Sequence, residues 1–387
     1  MLRKLFPVCL GTALCTLTAV SPVRLESQTS SGPSAWVYVS SQIGTTGKSD
    51  VYGFAAASNG KLSAIPGSPF TVDLSRMAVN GVYLFGAPES GSMIDTYRIQ
   101  SNGSLSYAAS VDSSGPNKCT NAPLNVFLDH SGGSLYDMYY WGDSICSNNT
   151  YQAWKLVKST GALTYDGSAG ASEELAGALS FIANNVFAYT SSCYHSSPQI
   201  SGFKRNSNGS LTQVNLAQVW PMAASGGWCP YLAAADPTNH LVIPVQPMGG
   251  YGSPTGPFQL AAYTVNTGTG ALSTTSTSAN MPKVAVSGIT AISMSPSGKL
   301  VAVAGTAGLQ VFHFNGASPL TACTGLMSSV EMDQVLWDNN DHLYAISNSS
   351  NRLAVFTVTP TSWSWVATYA VNKPVGLAVQ PLPLPWQ

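Results

Sequence analysis

Charge is what this sequence lacks most. Only 9% of its 387 residues are Asp, Glu, Lys or Arg, against about a quarter in an ordinary soluble domain. The formal net charge is −1, so the chain offers no basic footprint for nucleic acid. No Cys-x-x-Cys pair and no histidine cluster with zinc-ligand spacing occurs, which gives no ground for expecting a metal or another cofactor. A Gly-x-Ser-x-Gly nucleophile elbow is missing too, so a serine-triad hydrolase is not indicated. Helical periodicity of useful length is absent after residue 35, which argues against helical architectures. Hydrophobic residues nevertheless make up 44%, enough for a large core and too many for a disordered chain.

The one long apolar run is at the start. MLRK precedes LFPVCLGTALCTLTAV (residues 5–20), and a polar Ser/Pro-rich stretch follows. A basic start, a short apolar run and a polar exit fit a secretory signal peptide better than an anchoring helix. Residues 1–30 are therefore expected to be the signal, cut between about Ala19 and Ser31. Residues 31–387 would then be a single domain, secreted or periplasmic, with no stable membrane span remaining. Of seven cysteines, Cys9 and Cys15 fall in the presumed signal. An oxidising destination makes disulfides expected among the other five.

What the sequence does have is repetition. Short runs rich in Val, Tyr, Phe and Thr alternate with Gly, Asn and Pro, the signature of strands and turns. One turn keeps returning: SNGKL (58–62), SNGSL (101–105 and 207–211) and TGAL (160–163), with looser copies to the seventh, FTVTPTSWSWVAT (356–368). Asn and Gly tolerate the positive φ of a tight hairpin, and the Leu that follows packs inward. A second polar turn precedes each copy, as in MSPSGKLVAVA (294–304) and WDNNDHLYAIS (337–347). Each unit thus holds four strands, and the marker Leu recurs at 62, 105, 163, 211, 272 and 320. A four-stranded unit with such a period predicts a β-propeller. Seven units are present if PVGLAVQP (374–381) supplies the first strand missing before VYVSS (37–41). The expected fold is all-β, a seven-bladed propeller whose C-terminal strand closes the ring and removes its exposed edges.

These repeats resemble a known group. Tyr38-Val39-Ser40, the NGKL and TGAL turns and IPGSPF (65–70) are similar to the bacterial seven-bladed lactonase family, the 6-phosphogluconolactonase-like, cycloisomerase 2 type propellers with YVTN-like repeats. The resemblance spans most of residues 35–381 and implies a propeller that hydrolyses a lactone. The stretch NVFLDHSGGSLYDMYYWGDS (125–144) lacks the family's His-x-His, so no catalytic residue carries over by position.

Candidates come instead from the loops that enter each innermost strand. Lactone hydrolysis needs a base to activate water and a positive or hydrogen-bonding group facing the developing oxyanion. Glu173, Glu174 or Asp333 is the expected base, and Arg76, Lys283 or Lys373 the expected electrophilic partner. Trp220, Trp228, Tyr140, Trp141 and His195 lie in loops of the same face, where aromatic planes beside neutral polar groups suit a carbohydrate or another uncharged ligand. Capping of the blade cores by these rings is the alternative. Loop placement pairs Cys119 with Cys146 and Cys193 with Cys229, leaving Cys323 free. Two functions stand: a monomeric exported lactonase acting on a small lactone, or a non-catalytic secreted propeller binding a glycan, peptide or envelope partner.

Overall fold

The computed structural model describes residues 32–43, 48–114, 122–139, 151–170, 177–194, 197–223, 226–249, 254–316 and 320–382. Among these residues there are strands and turns and no helix. Seven antiparallel sheets follow one another around an axis.

Blade 1 comprises Pro374–Pro381, Ala35–Ile43, Lys48–Ala56 and Leu62–Ala64, ordered from the axis outward. Blade 2 comprises Arg76–Val79, Tyr83–Ala87, Met93–Ile99 and Leu105–Asp112, and blade 3 Asn125–Leu128, Ser134–Met138, Tyr151–Leu156 and Leu163–Ala169. Blade 4 runs through Ser180–Phe181, Phe187–Tyr194, Ser197–Arg205 and Leu211–Val214. In blade 5 the innermost strand is split into Trp228–Pro230 and Ala234–Ala235, before His240–Pro247, Gln259–Val265 and Leu272–Ser273. Blade 6 has Ile289–Met294, Leu300–Gly305, Gly308–His313 and Thr321–Ala322; blade 7 has Gln334–Trp337, His342–Ser347, Arg352–Thr359 and Ser362–Ala370.

The closing strand behaves as expected: Val37 pairs with Val379 and Val39 with Leu377, antiparallel. One departure from seven uniform sheets lies in blade 5. Leu232 has φ of 55°, a left-handed conformation that a branched side chain rarely adopts. That turn breaks the ladder between the two inner pieces.

Burial explains the composition of the strands. Each second strand is sandwiched between neighbouring blades on both faces, so Tyr83–Ala87 and Leu300–Gly305 are buried throughout. The core is a set of layers between blades. Val37, Val39 and Phe54 of blade 1, for example, pack on Tyr344, Leu353 and Val355 of blade 7. Outermost strands are largely exposed, as in Ser362–Ala370.

The recurring turn has a second role that its hairpin chemistry does not reveal. Gly103 sits at φ +83°, and a Cβ there would come within 2.7 Å of Trp36 and Ile65. Its carbonyl oxygen accepts the buried Tyr38 hydroxyl at 2.7 Å. Tyr136 donates likewise to Gly209 O and Tyr189 to Gly270 O, each at 2.7 Å, and Tyr83 to Lys158 O at 3.0 Å. In each case a tyrosine of one blade's second strand bonds to the outer hairpin of the next blade. The turn is a joint between blades.

The polar turns between first and second strands are self-sufficient. Asp338 accepts the His342 and Asn340 amides at 3.0 and 2.8 Å and meets His342 Nδ1 at 2.7 Å. Asp236 and His240 repeat this pairing at 3.0 Å. Asp129 accepts the amides of Gly133 and Ser134 and pairs with Arg205 at 2.7 Å. Buried carboxylates with this many donors are satisfied turn anchors.

Candidate functional site at the channel mouth

One face of the ring is built from the loops that enter the innermost strands together with those joining second to third strands. On that face the closing strand Pro374–Pro381 lies between the innermost strands of blades 2 and 7. Arg76 opens the first of these strands, and Asp333 directly precedes the second. The two residues therefore stand on either side of the strand that seals the ring, with the Arg76 side chain reaching toward Leu124 of blade 3. They form no ion pair with each other among the described residues.

Asp333 is held on a rigid frame. Its Oδ2 accepts the Asn348 amide at 2.7 Å, and Asn348 Nδ2 donates to Pro374 O at 3.2 Å. Next door, Gln334 clamps the closing strand by donating to Val375 O at 3.3 Å and accepting from Leu377 N at 2.9 Å. Partial burial pushes the Asp333 carboxyl above its ordinary range, opposed by the Asn348 amide and reinforced by the charge of Glu331. A carboxylate made more basic in this way is a better proton acceptor. Arg76 donates from Nε to Leu124 O at 3.4 Å. Burial lowers the pKa of its guanidinium and the Glu89 carboxylate raises it, and an arginine stays charged regardless.

The other cations are placed differently. Lys373 has φ of 41°; its amide donates to Asn351 Oδ1 at 2.8 Å and its carbonyl accepts the Gln42 amide at 3.1 Å. It stands exposed at the entry of the closing strand, on the same side as Asp333. Lys283 is exposed and pairs through its backbone with Gln259, at the start of blade 5's third strand. That pairing holds the 281–284 segment beside blade 5's third strand. Glu173, Glu174, Tyr140, Trp141, His195, Cys119 and Cys146 lie outside the described residues.

The aromatic expectations divide. Trp228 is only 3% exposed, and its indole N–H donates to Pro221 O at 2.9 Å. Trp220 is half-buried against the same core between blades 4 and 5. Both rings therefore serve packing, and Trp228 presents almost no face to a ligand. The disulfide Cys193–Cys229 is present, with Cα atoms 5.2 Å apart. It ties blade 4's second strand to blade 5's innermost strand, and Cys323 is a free thiol.

Beside this disulfide lies a pocket that the sequence did not announce. A cavity of about 510 Å³ between blades 5 and 6 is lined by Tyr231, Gln246, Phe258, Val284, Val286 and Ile289, among others. Tyr231 and Phe258 meet edge to face at 5.1 Å, and the Tyr231 hydroxyl lies 3.4 Å from Cys229 Sγ. Burial raises the Tyr231 pKa. No lining side chain is charged. The strained Leu232 follows Tyr231 directly and accepts the Ser191 hydroxyl through its carbonyl. Trp228-Cys-Pro-Tyr231 was the available signal, a tyrosine two residues beyond the cysteine.

Asp137 also went unnoticed in the sequence. It is fully buried in blade 3 and accepts from Trp154 Nε1 at 3.0 Å, Gln152 Nε2 at 3.2 Å and the Tyr139 hydroxyl at 3.4 Å. Burial outweighs these donors and pushes its carboxyl up to about 7. Its solvent-excluded position makes it a structural acid. Among the described residues, no group of three or more His, Cys, Asp or Glu side chains is arranged to hold a metal ion.

No protein-family model matches the sequence, and no curated protein matches it. Solved structures do match its fold. A candidate 6-phosphogluconolactonase of Bacteroides fragilis superposes with a TM-score of 0.66 at 14% identity, over 91% of this chain and 99% of that one. A similar candidate from Bacteroides uniformis gives 0.66 at 15% identity, over 89% and 99%. The periplasmic gluconolactonase of Pseudomonas aeruginosa gives 0.64 at 14% identity, over 90% and 99%. At these identities the likeness shows the fold.

Proposed function

We propose that the protein is an exported, lactonase-like propeller that opens a small sugar-type lactone at the channel mouth. The observation that carries this reading is the placement of Asp333 and Arg76 on either side of the closing strand, in a fold shared with lactonase structures. Asp333 takes a proton from water, whose oxygen attacks the lactone carbonyl. Arg76 faces the oxyanion of the tetrahedral intermediate. Collapse of that intermediate breaks the ring C–O bond, and the proton held by Asp333 returns to the leaving alkoxide. The product is a hydroxy acid. The Cys193–Cys229 bridge is compatible with an oxidising compartment, periplasmic or extracellular.

The test is ring opening of a lactone panel, gluconolactones included, followed against the spontaneous rate at neutral pH. Asp333→Asn should lower kcat roughly 10²–10⁴-fold, and Arg76→Gln roughly 10²–10³-fold. Equal rates with and without protein across the panel would sink the catalytic reading. A second reading would then stand, favoured by the uncharged cavity at Tyr231: binding of a neutral ligand without turnover.

A further inference from the structure

The cavity between blades 5 and 6 has no part in the chemistry assigned to Asp333 and Arg76, and it lies where blade 5's innermost strand is split. Pro230 pairs with Val245 and Ala234 with Val242, so Tyr231, Leu232 and Ala233 stand opposite only Ile243 and Pro244. The extra residue makes a bulge, and Leu232 absorbs it at φ of 55°. On the facing blade the innermost strand is irregular at its entry, with a register shift between Ile289 and Ala291. The cavity of about 510 Å³ opens between these two irregular strands, a volume within the range of small-molecule sites.

Polar groups around it are bonded to one another. Tyr231 N donates to Pro244 O at 2.9 Å, Val284 N to Phe258 O at 2.8 Å and Ala285 N to Gln310 Oε1 at 2.8 Å. The Gln246 side chain is engaged within the wall too, donating to Gly256 O at 2.7 Å. What faces a guest is the apolar surface of Phe258, Val284, Val286 and Ile289 beside the Tyr231 ring, continuous with the core layer of the two blades. No charged side chain lines the cavity, and Lys283, one residue before Val284, is exposed. A charged group entering here would lose hydration without gaining a partner. An alkyl or aryl group would lose only its contact with water.

One hydrogen bond joins the cavity to the segment of the proposed base. Ile289 forms part of the wall, and the next residue, Thr290, donates from Oγ1 to Met332 O at 2.7 Å. Met332 directly precedes Asp333. A ring held at Asp333 therefore has this cavity as its neighbour on the blade 6 side. We propose that the cavity seats an uncharged apolar arm of the lactone, which makes the substrate a neutral lactone with an alkyl or aryl substituent. This rests on the lactonase reading for the identity of the ring, while the uncharged apolar wall selects the arm.

The experiment is displacement of Nile red, a neutral dye, from the purified protein by δ-lactones whose alkyl arm lengthens one carbon at a time. Arms of equal length ended by a carboxylate or an ammonium group are the comparisons. Affinity should rise roughly fourfold per methylene until the cavity is filled, and either charged end should weaken it roughly tenfold or more. Ala285→Trp puts bulk, and Ser287→Asp a charge, at exposed positions of the lining. Each should weaken binding of the longest arm roughly tenfold or more, with an unfolding midpoint near the parent's. Tyr107→Ala, at an exposed aromatic on blade 2, should bind like the parent. A dye that does not bind, affinity independent of arm length, equal binding of charged arms, or parent-like binding by both lining variants would overturn the proposal. Ring opening is followed in the same samples. Affinity that grows with the arm but no turnover supports the cavity and sinks the catalytic reading alone. Turnover in which neither affinity nor KM follows the arm sinks the cavity and leaves the catalytic reading standing.

Discussion

The hydroxyl of Tyr136 in blade 3 donates to the carbonyl oxygen of Gly209 in blade 4, at 2.7 Å and out of reach of water. The bond joins residues 73 apart in sequence. Tyr136→Phe keeps the ring and removes only the donor, leaving a buried carbonyl without its partner. Stability should fall by about 1–3 kcal/mol, read as a lower denaturant midpoint. An unchanged midpoint would mean that the joint between blades rests on packing alone.

Two glycines separate backbone strain from crowding. Gly103→Ala meets both, since φ is +83° and the new Cβ would sit within 2.7 Å of Trp36 and Ile65. Gly91 has φ of +96° with nothing within 4 Å. Gly91→Ala should cost about 1–2 kcal/mol for the left-handed backbone. Gly103→Ala should add roughly 1–3 kcal/mol of overpacking. Equal losses in equilibrium unfolding would remove crowding from the explanation.

The buried carboxyl of Asp137 gives the protein a pH dependence of unusual sign. Its pKa is pushed up to about 7 in the fold, against about 3.9 in an unfolded chain. Between those values the folded state holds the proton and the unfolded state does not. Stability from this group is therefore full below about pH 4 and lost as pH rises to about 7. Asp137→Asn, which cannot ionise, should flatten that part of the stability profile relative to the parent. Parallel profiles from pH 4 to 8 would refute the assignment.

The Cys193–Cys229 bridge closes a loop with a sequence separation of 36, worth about 3–4 kcal/mol by restricting the unfolded chain. Cys193→Ser/Cys229→Ser should lose stability on that scale while Cys323→Ser changes little. Non-reducing peptide mapping should recover the bridged pair and a single alkylated peptide carrying Cys323. The same map tests the expected Cys119–Cys146 bridge directly.

Much of the ring could be read from the chain because its signals are local. A Gly at positive φ and a Leu two residues later mark a hairpin wherever they occur, and five such marks, with Leu320 and the Trp363/Trp365 copy, set the blade count. The completing strand was legible too, since VYVSS lacked a partner and PVGLAVQP had one to offer. What escaped were relations between distant residues. Nothing local to Tyr38 points to Gly103, and a leucine gives no warning that position 232 turns left-handed. A loop's sequence does not say where along it the chain meets the axis. Lys283 pairs through its backbone with Gln259 of blade 5's third strand, whereas Asp333 immediately precedes an innermost strand. Trp228 looked like a ligand platform because an uncharged aromatic loop and a core cap share one composition.

The pairing of Ala35–Ile43 with Pro374–Pro381 also orders events in time. The innermost strand of blade 1 follows the strands of every other blade in the chain, so a growing chain holds six further blades' worth of strands before the first can be finished. Until then the unfinished sheet of blade 1 faces solvent with an open inner edge, a form prone to mispairing. Closure joins segments more than 300 residues apart, a loop whose entropic cost falls late and all at once. Removing the last blade-forming strand should consequently trap an open, association-prone ring instead of a slightly weakened one.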